Sequence, residues 1–249
     1  MPPTNFPPLT ARFLYERFTE HISDQDRIVV YDPCSGWGGR ILGAMATHRN
    51  RHIHYVGTDP NSDHWMPDFE MTKYEYLADY FNSNVPGPHH NSYELFRIGS
   101  EEIHKQPRFK KYKGKVDFVF TSPPYFAAEG YNDEETQSYK KFPEYGLWCD
   151  GYLRRTLQTA VEWLKPDRYL CLNIADVKLG SNLLPLERDT KKIIEELGME
   201  YVDKLKMVLG ATPGPHRKNK GRGTPTTRNF CRVNGNIRKY EPIFVFRKP

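Results

Sequence analysis

Ile28-Val29-Val30-Tyr31-Asp32-Pro33-Cys34-Ser35-Gly36-Trp37-Gly38-Gly39-Arg40 reads as a strand, a turn and the start of a helix. A β-branched run ends in an acid, a glycine-rich turn follows, and Ile41 to Thr47 continues with helical character. Glycines in such a turn adopt positive φ and let the backbone approach a ligand closely. The next run, His52-Ile53-His54-Tyr55-Val56-Gly57-Thr58-Asp59, is again strand-like and closes on an acid. Asp59 falls about twenty residues after the turn, the spacing at which a second-strand carboxylate reaches ribose hydroxyls in nucleotide-binding βαβ units. Neither G-x-G-x-x-G nor G-x-x-x-x-G-K-[ST] is present, which argues against a dinucleotide or a triphosphate.

Further along, Val116-Asp117-Phe118-Val119-Phe120 has the pattern of a buried strand, and Thr121-Ser122-Pro123-Pro124-Tyr125 follows at once. Two consecutive prolines cannot lie inside a strand, because each lacks an N–H and has a fixed φ. The chain therefore leaves the sheet in one stiff direction. It carries out a hydroxyl (Ser122), carbonyls with no competing local N–H around Pro123, and an aromatic face (Tyr125). That set suits a planar, amino-bearing ring: the face stacks on the ring and the oxygens accept from its NH2.

Strands and helices alternate around these two stretches. Strands are expected near 28–32, 52–58, 94–98, 116–120, 169–174, 201–209 and 242–246, and helices near 9–19, 67–82, 147–164 and 185–197. Leu153, Leu157, Val161 and Leu164 mark one face of the third helix, and Pro166 closes it. This β-then-α rhythm gives a three-layer α/β sandwich with a mostly parallel sheet.

The 249 residues can bury a full core in one domain. No apolar run approaches the length of a membrane span, and Met1-Pro2-Pro3-Thr4 does not open a signal peptide, so a cytoplasmic location is expected. Cys34, Cys149, Cys171 and Cys231 show no C-x-x-C spacing, which supports neither a zinc site nor a disulfide framework. Cys34 and Cys171 read as buried thiols. The net charge of +5 is unevenly spread: ten Lys or Arg and no acid lie between Lys204 and Lys239, so the rest of the chain is net negative. The basic, Gly/Pro-rich segment at about 210–239 is expected to be a loop. Arg217, Lys218, Lys220, Arg222 and Arg228 make it a candidate for polyanion contact. The alternative is a solvated basic loop without a partner.

Thr-Ser-Pro-Pro-Tyr resembles the signature of S-adenosylmethionine-dependent amino-methyltransferases, which methylate the exocyclic amino group of adenine or cytosine. Asp-Pro-Cys-Ser-Gly-Trp-Gly-Gly is similar to that family's cofactor loop. The resemblance covers most of the chain as an ordered set of motifs, cofactor loop before catalytic peptide. It implies a single methyltransferase domain over 1–249 with a Rossmann-like fold. The sheet would have seven strands, the last antiparallel and inserted between the fifth and sixth as a closing hairpin. It implies S-adenosylmethionine as cofactor, DNA as partner and no metal.

By the same resemblance, Asp32, Pro33, Cys34 and Gly36 to Gly38 surround the methionine part of the cofactor. Asp59 holds the ribose, and Gly99-Ser100-Glu101 lies at the adenine ring. Pro7-Pro8-Leu9-Thr10 resembles the family's opening cofactor motif; the alternative is a helix start capped by Thr10. Ser122, Pro123, Pro124 and Tyr125 would be catalytic. Hydrogens accepted at Ser122 Oγ and the Pro123 carbonyl favour a pyramidal amino nitrogen with a free lone pair. The base must be flipped out or unpaired to reach them, and Tyr125 would stack on it. Ser-Pro-Pro-Tyr is commoner among cytosine-N4 enzymes, so N4 of cytosine is favoured over N6 of adenine. RNA or a protein glutamine are alternative substrates, and an inactive nucleic-acid-binding module is the alternative outside the enzyme class.

Three further features stay open. Glu129 to Tyr145, with Tyr131, Tyr139 and Tyr145, is either a lid on the target or a surface loop. Trp148 belongs to the core or stacks on the base. Asp176 lines the crevice or caps a helix. Site-specific members of the family carry a sizeable target-recognition region. Here only the basic loop and residues 126–146 are left for that role, which suggests a solitary enzyme, of phage or mobile-element type, with a short target.

Overall fold

The computed structural model describes residues 5–23, 26–47, 52–61, 64–85, 90–128, 134–210 and 229–249. Strand β1 (Arg27–Asp32) pairs in parallel with β2 (His52–Thr58), and β2 with β3 (Ser92–Phe96). On its other side β1 pairs in parallel with β4 (Val116–Thr121), and β4 with β5 (Leu164–Asn173). All six residues of β4 are buried, as a central parallel strand covered on both faces requires. The sheet is finished by β6 (Glu200–Val208), the short β7 (Phe230–Val233) and β8 (Asn236–Arg247). Strand β8 runs antiparallel between β5 and β6. The order is therefore β6-β8-β5-β4-β1-β2-β3, with β7 on β8 outside this run. The expected seven-stranded, mostly parallel sheet with an inserted antiparallel strand is present.

Period-2 alternation splits the sheet's side chains between two cores. Val30, Phe118, Phe120, Cys171, Ile243 and Val245 face α1 (Pro8–Thr19), α2 (Gly39–Met45) and α3 (Lys73–Asn84). Tyr31, Val119, Leu170, Leu172, Phe244 and Phe246 face the other side. That second layer comes mainly from the 3-10 turns Ser100–Lys105 and Phe109–Tyr112, from α6 (Arg154–Trp163) and from α7 (Leu186–Glu196). Two short helices, α4 (Ser138–Lys141) and α5 (Tyr145–Trp148), precede α6. The result is the three-layer sandwich expected from the alternation of elements.

Three local expectations are corrected. The helix expected at 67–82 begins only at Lys73. A 3-10 turn, Pro67–Phe69, precedes it, and a capping box then starts α3: Glu75 N donates to Thr72 Oγ1 at 3.2 Å and Thr72 N to Glu75 Oε2 at 2.6 Å. The helix at 147–164 is interrupted by a π turn, Cys149–Leu153, and it is Leu164, already extended, rather than Pro166 that ends it. Residues 230–239 are not loop. Asn234 and Gly235 both adopt positive φ (48° and 79°), which fits a two-residue hairpin turn joining β7 to β8. Among the described residues no helix is long and apolar enough to cross a membrane, and no group of His, Cys, Asp and Glu could hold a metal.

Candidate functional site

Parallel pairing brings the carboxyl ends of β1, β2, β3 and β4 to one edge, and the segment following each strand turns into a shared cleft. After β1, Gly36 and Gly38 adopt φ of 62° and 88°, a left-handed backbone that side-chain-bearing residues avoid. After β2, the Asp59 carboxylate ties that turn down. It accepts from Gly36 N at 3.0 Å and from Asn61 N at 2.9 Å. The Tyr74 hydroxyl of α3 donates to the Gly36 carbonyl from the side. Burial raises the Asp59 pKa to about 6, against the two backbone amides that favour its ionised form.

After β3, Ser100 and Glu101 line the cleft. Ser100 Oγ lies 2.8 Å from Thr156 Oγ1, and buried Glu101 accepts from Lys141 Nζ at 2.7 Å. After β4, Ser122 and Pro124 reach the same cleft while Pro123 turns inward. Ser122 Oγ donates to Asn173 Oδ1 at 3.3 Å, and Asn173 Nδ2 donates to the Pro242 carbonyl at 3.0 Å. A carbonyl can only accept, so Pro242 fixes which end of the Asn173 amide faces Ser122. The Ser122 proton is thereby directed at Asn173, and its lone pairs are left for another donor. Phe126 holds φ of 52°, a strained value for a bulky residue, directly after this peptide.

The structure thus brings Pro33, Cys34, Gly36, Asp59, Ser100, Glu101, Ser122 and Pro124 around one cleft. It encloses about 610 Å³ of empty space, part of it open to solvent. Besides Pro123, four expected residues do not line it. Asp32 lies beneath, with both oxygens occupied. Oδ2 accepts from Arg40 Nε at 2.7 Å and Tyr55 Oη at 2.6 Å, and Oδ1 from Thr121 Oγ1 at 2.9 Å and Cys34 N at 3.1 Å. Burial by itself would lower the Arg40 pKa; the facing Asp32 carboxylate more than offsets this and raises it. Gly38 starts α2 beside Tyr74 and Leu77. Thr10 is neither lining nor cap: α1 already starts two residues earlier at Pro8, and Thr10 N donates to the Pro7 carbonyl at 3.1 Å. The Tyr125 side chain is 5% exposed and belongs to the core.

Cys34 is half-buried rather than interior. Its Sγ lies 3.1 Å from Tyr152 Oη, and burial pushes its thiol up to about 12, so it stays protonated and unreactive. Trp148 is a core residue, with Nε1 donating to Ser138 Oγ at 3.0 Å. Asp176 serves as the helix cap: Oδ1 accepts from Glu187 N at the start of α7, 2.9 Å away. Of the three tyrosines in the 129–145 segment, Tyr131 lies outside the described residues. Tyr139 and Tyr145 pack against the core, and Tyr145 Oη donates to Asp189 Oδ2 at 2.9 Å. The segment lines the cleft through Thr136, Gln137 and Ser138 instead. Arg217, Lys218, Lys220, Arg222 and Arg228 lie outside the described residues.

Asn61, His64, Gln137, Tyr152 and Asn173 carry or support the cleft without having been singled out by sequence for that role. Asn173 had a usable signal: a polar residue at the carboxyl end of a buried strand next to Ser-Pro-Pro-Tyr. Tyr152 had none, since the π turn that presents it is not legible in periodicity.

No sequence-family model matches the chain. The type II methyltransferase M.MjaVI of Methanocaldococcus jannaschii is 34% identical over 87 residues, which is 34% of this chain and 41% of that protein. The chain therefore matches less than half the length of this curated relative. Among solved structures, the CurJ carbon methyltransferase is 12% identical with a TM-score of 0.51, over 96% of this chain and 53% of that one; this likeness shows the fold. A SAM-dependent methyltransferase of Methanosarcina mazei is 11% identical with a TM-score of 0.47, over 90% of this chain and 93% of that one.

Proposed function

We propose that the chain is an S-adenosylmethionine-dependent methyltransferase acting on an exocyclic amino group of a base in DNA, with N4 of cytosine favoured over N6 of adenine. The observation that carries this reading is the convergence of two peptides. The glycine turn after β1 and Ser122-Pro123-Pro124 after β4 open on one cleft, because β1 and β4 are neighbours in the sheet. The match to a relative described as a type II methyltransferase supports it.

The cleft suits the cofactor chemically. It presents the Asp59 carboxylate for ribose hydroxyls, the Pro33–Gly36 turn for the amino-acid end, and Ser100 and Glu101 for the base. Bound there, S-adenosylmethionine supplies an electrophilic methyl group. The protein's own task is positioning and electrostatics. Asn173 orients the Ser122 hydroxyl so that Oγ accepts from the target amino group. Oγ and the Pro123 carbonyl together would hold the amino hydrogens and leave the nitrogen lone pair free. Asp32 acts one step back: it locks β1, β2, β4 and α2 together through Arg40, Tyr55 and Thr121 and so holds both peptides in place. Tyr125 lies too deep to stack on a base in this conformation. Stacking by Tyr125 would need the peptide to move when the base enters.

Incubation of purified protein with S-adenosylmethionine and unmethylated genomic DNA, followed by nucleoside mass spectrometry, tests the reading. A rise in N4-methylcytosine is expected. A rise in N6-methyladenine alone would keep the reaction and correct the base. No methylated base, with cofactor still bound, would overturn DNA as the substrate and point to RNA or protein.

A further inference from the structure

Beyond the carboxyl edge of the sheet, residues 229–240 run as a two-stranded ribbon. The register pairs Ile243 with Asn173, the last residue of β5. Residues 240–242 of β8 still pair with the end of β6, and residues 236–239 continue roughly 13 Å past it, on the side where the cleft opens. Facing residues of an antiparallel pair share a face. Phe230 faces Lys239 and Arg232 faces Ile237, so these four make one face; Cys231, Arg238, Val233 and Asn236 make the other. All four residues of the first face are exposed, Phe230 by 54% and Ile237 by 68%. Residues 229–240 contain three cations, Arg232, Arg238 and Lys239, and no acid.

A face that alternates cations with large apolar groups suits a polyanion with planar surfaces between its charges. The shape narrows this further. Two paired strands lie about 4.8 Å apart, and a ribbon of that width fits the major groove of duplex DNA, about 12 Å wide. The ribbon is also anchored to the site. Tyr240 N donates to the Asn229 carbonyl at 3.0 Å, and Asn229 Nδ2 to Glu187 Oε1 at 3.2 Å. Glu187 N in turn donates to Asp176 at 2.9 Å, three residues beyond the Asn173 that orients Ser122.

We propose that the β7–β8 ribbon docks on duplex DNA, with the face formed by Phe230, Arg232, Ile237 and Lys239 entering the major groove beside the target base. The proposal rests on DNA being the substrate. The ribbon is short and lies at the edge that carries the cleft, so it would position the duplex beside it.

The test measures binding of the full chain, with S-adenosylmethionine present, to a labelled DNA duplex over a range of salt concentrations. The wild type is compared with Arg232→Ala/Lys239→Ala, with Phe230→Ala/Ile237→Ala, and with Lys110→Ala/Lys113→Ala. The last pair removes two exposed lysines just before β4, at the opposite edge of the sheet. The ribbon charge variant is expected to bind duplex about tenfold more weakly at moderate salt and to flatten the dependence of log K on log salt by about 2. Cofactor affinity and thermal midpoint should match the wild type, and the apolar variant should weaken binding without changing the salt slope. Binding within twofold of wild type in both ribbon variants, or an equal loss in the Lys110/Lys113 variant, would overturn the proposal alone. A wild type that binds no duplex would overturn the ribbon's role, and the methylation assay on genomic DNA then decides separately whether DNA is the substrate.

Discussion

In the proposed reaction Ser122 and Asp59 are the two side chains on which the chemistry would turn, and each has a separable readout. Ser122→Ala should keep cofactor affinity and lower kcat on the order of a hundredfold, as loss of a single preorganised contact does elsewhere. Asn173→Leu should lower kcat in the same direction with the cofactor KM unchanged, because it frees the Ser122 hydroxyl to rotate. Steady-state kinetics with both substrates varied separates these from a binding defect. Asp59 predicts a pH dependence. Its carboxyl is raised to about 6 in the folded chain, so the folded state holds this proton more tightly than the unfolded one. Ionising it therefore lowers stability as pH rises from about 4 to about 6. In the proposed site cofactor binding has the opposite sign, since ribose hydroxyls would donate to the ionised form. Affinity should fall below pH 6, by at most about tenfold per pH unit, and calorimetric titration on either side of that value checks it. Tyr125 belongs to the same peptide but is a core residue, and Tyr125→Ala should cost about 3 kcal/mol in urea unfolding. An unchanged unfolding midpoint would show that its burial contributes little.

Element boundaries were set by groups that periodicity does not register. The start of α3 follows from the Thr72–Glu75 capping box rather than from the apolar spacing that begins earlier. Thr72→Ala should cost about 1 kcal/mol, read from chemical denaturation, and fray the first turn of α3, which carries Tyr74 against Gly36. The hairpin at 230–239 was readable. Asn234-Gly235 between alternating residues is a strong short-range turn signal; the Gly/Pro-rich, basic segment before it drew the whole stretch into one loop. The π turn at Cys149–Leu153 was not readable, because its Leu153 and the Leu157 and Val161 of α6 keep helical spacing across it. Its consequence is local: it sets Tyr152 against Cys34 at the cleft wall.

At the scale of the whole molecule, the buried Asp32–Arg40 pair joins the layers. Asp32 receives donors from β2, from β4, from α2 and from its own turn. Asp32→Ala would leave the Arg40 guanidinium buried without its counter-charge, and should cost about 3–5 kcal/mol. Denaturant titration with and without the cofactor checks this: the loss should appear in both, since the residue acts on the fold and not on the ligand. A loss seen only with cofactor present would return Asp32 to direct ligand contact.

The linear order of strand, glycine turn, acid and Ser-Pro-Pro-Tyr determined the sheet, the edge that carries the site, and the peptides that meet there. These are local properties: β-branched runs make buried strands, and glycine and proline end them in fixed ways. Only the tertiary structure decided which side chains of those peptides face the cleft. Asp32 and Tyr125 stand in the same motifs as Gly36 and Ser122, yet both are turned inward. Two of the four donors on the Asp32 carboxylate, Tyr55 and Thr121, and the core around the Tyr125 ring come from segments distant in sequence, and no spacing within a motif records where those partners will fold.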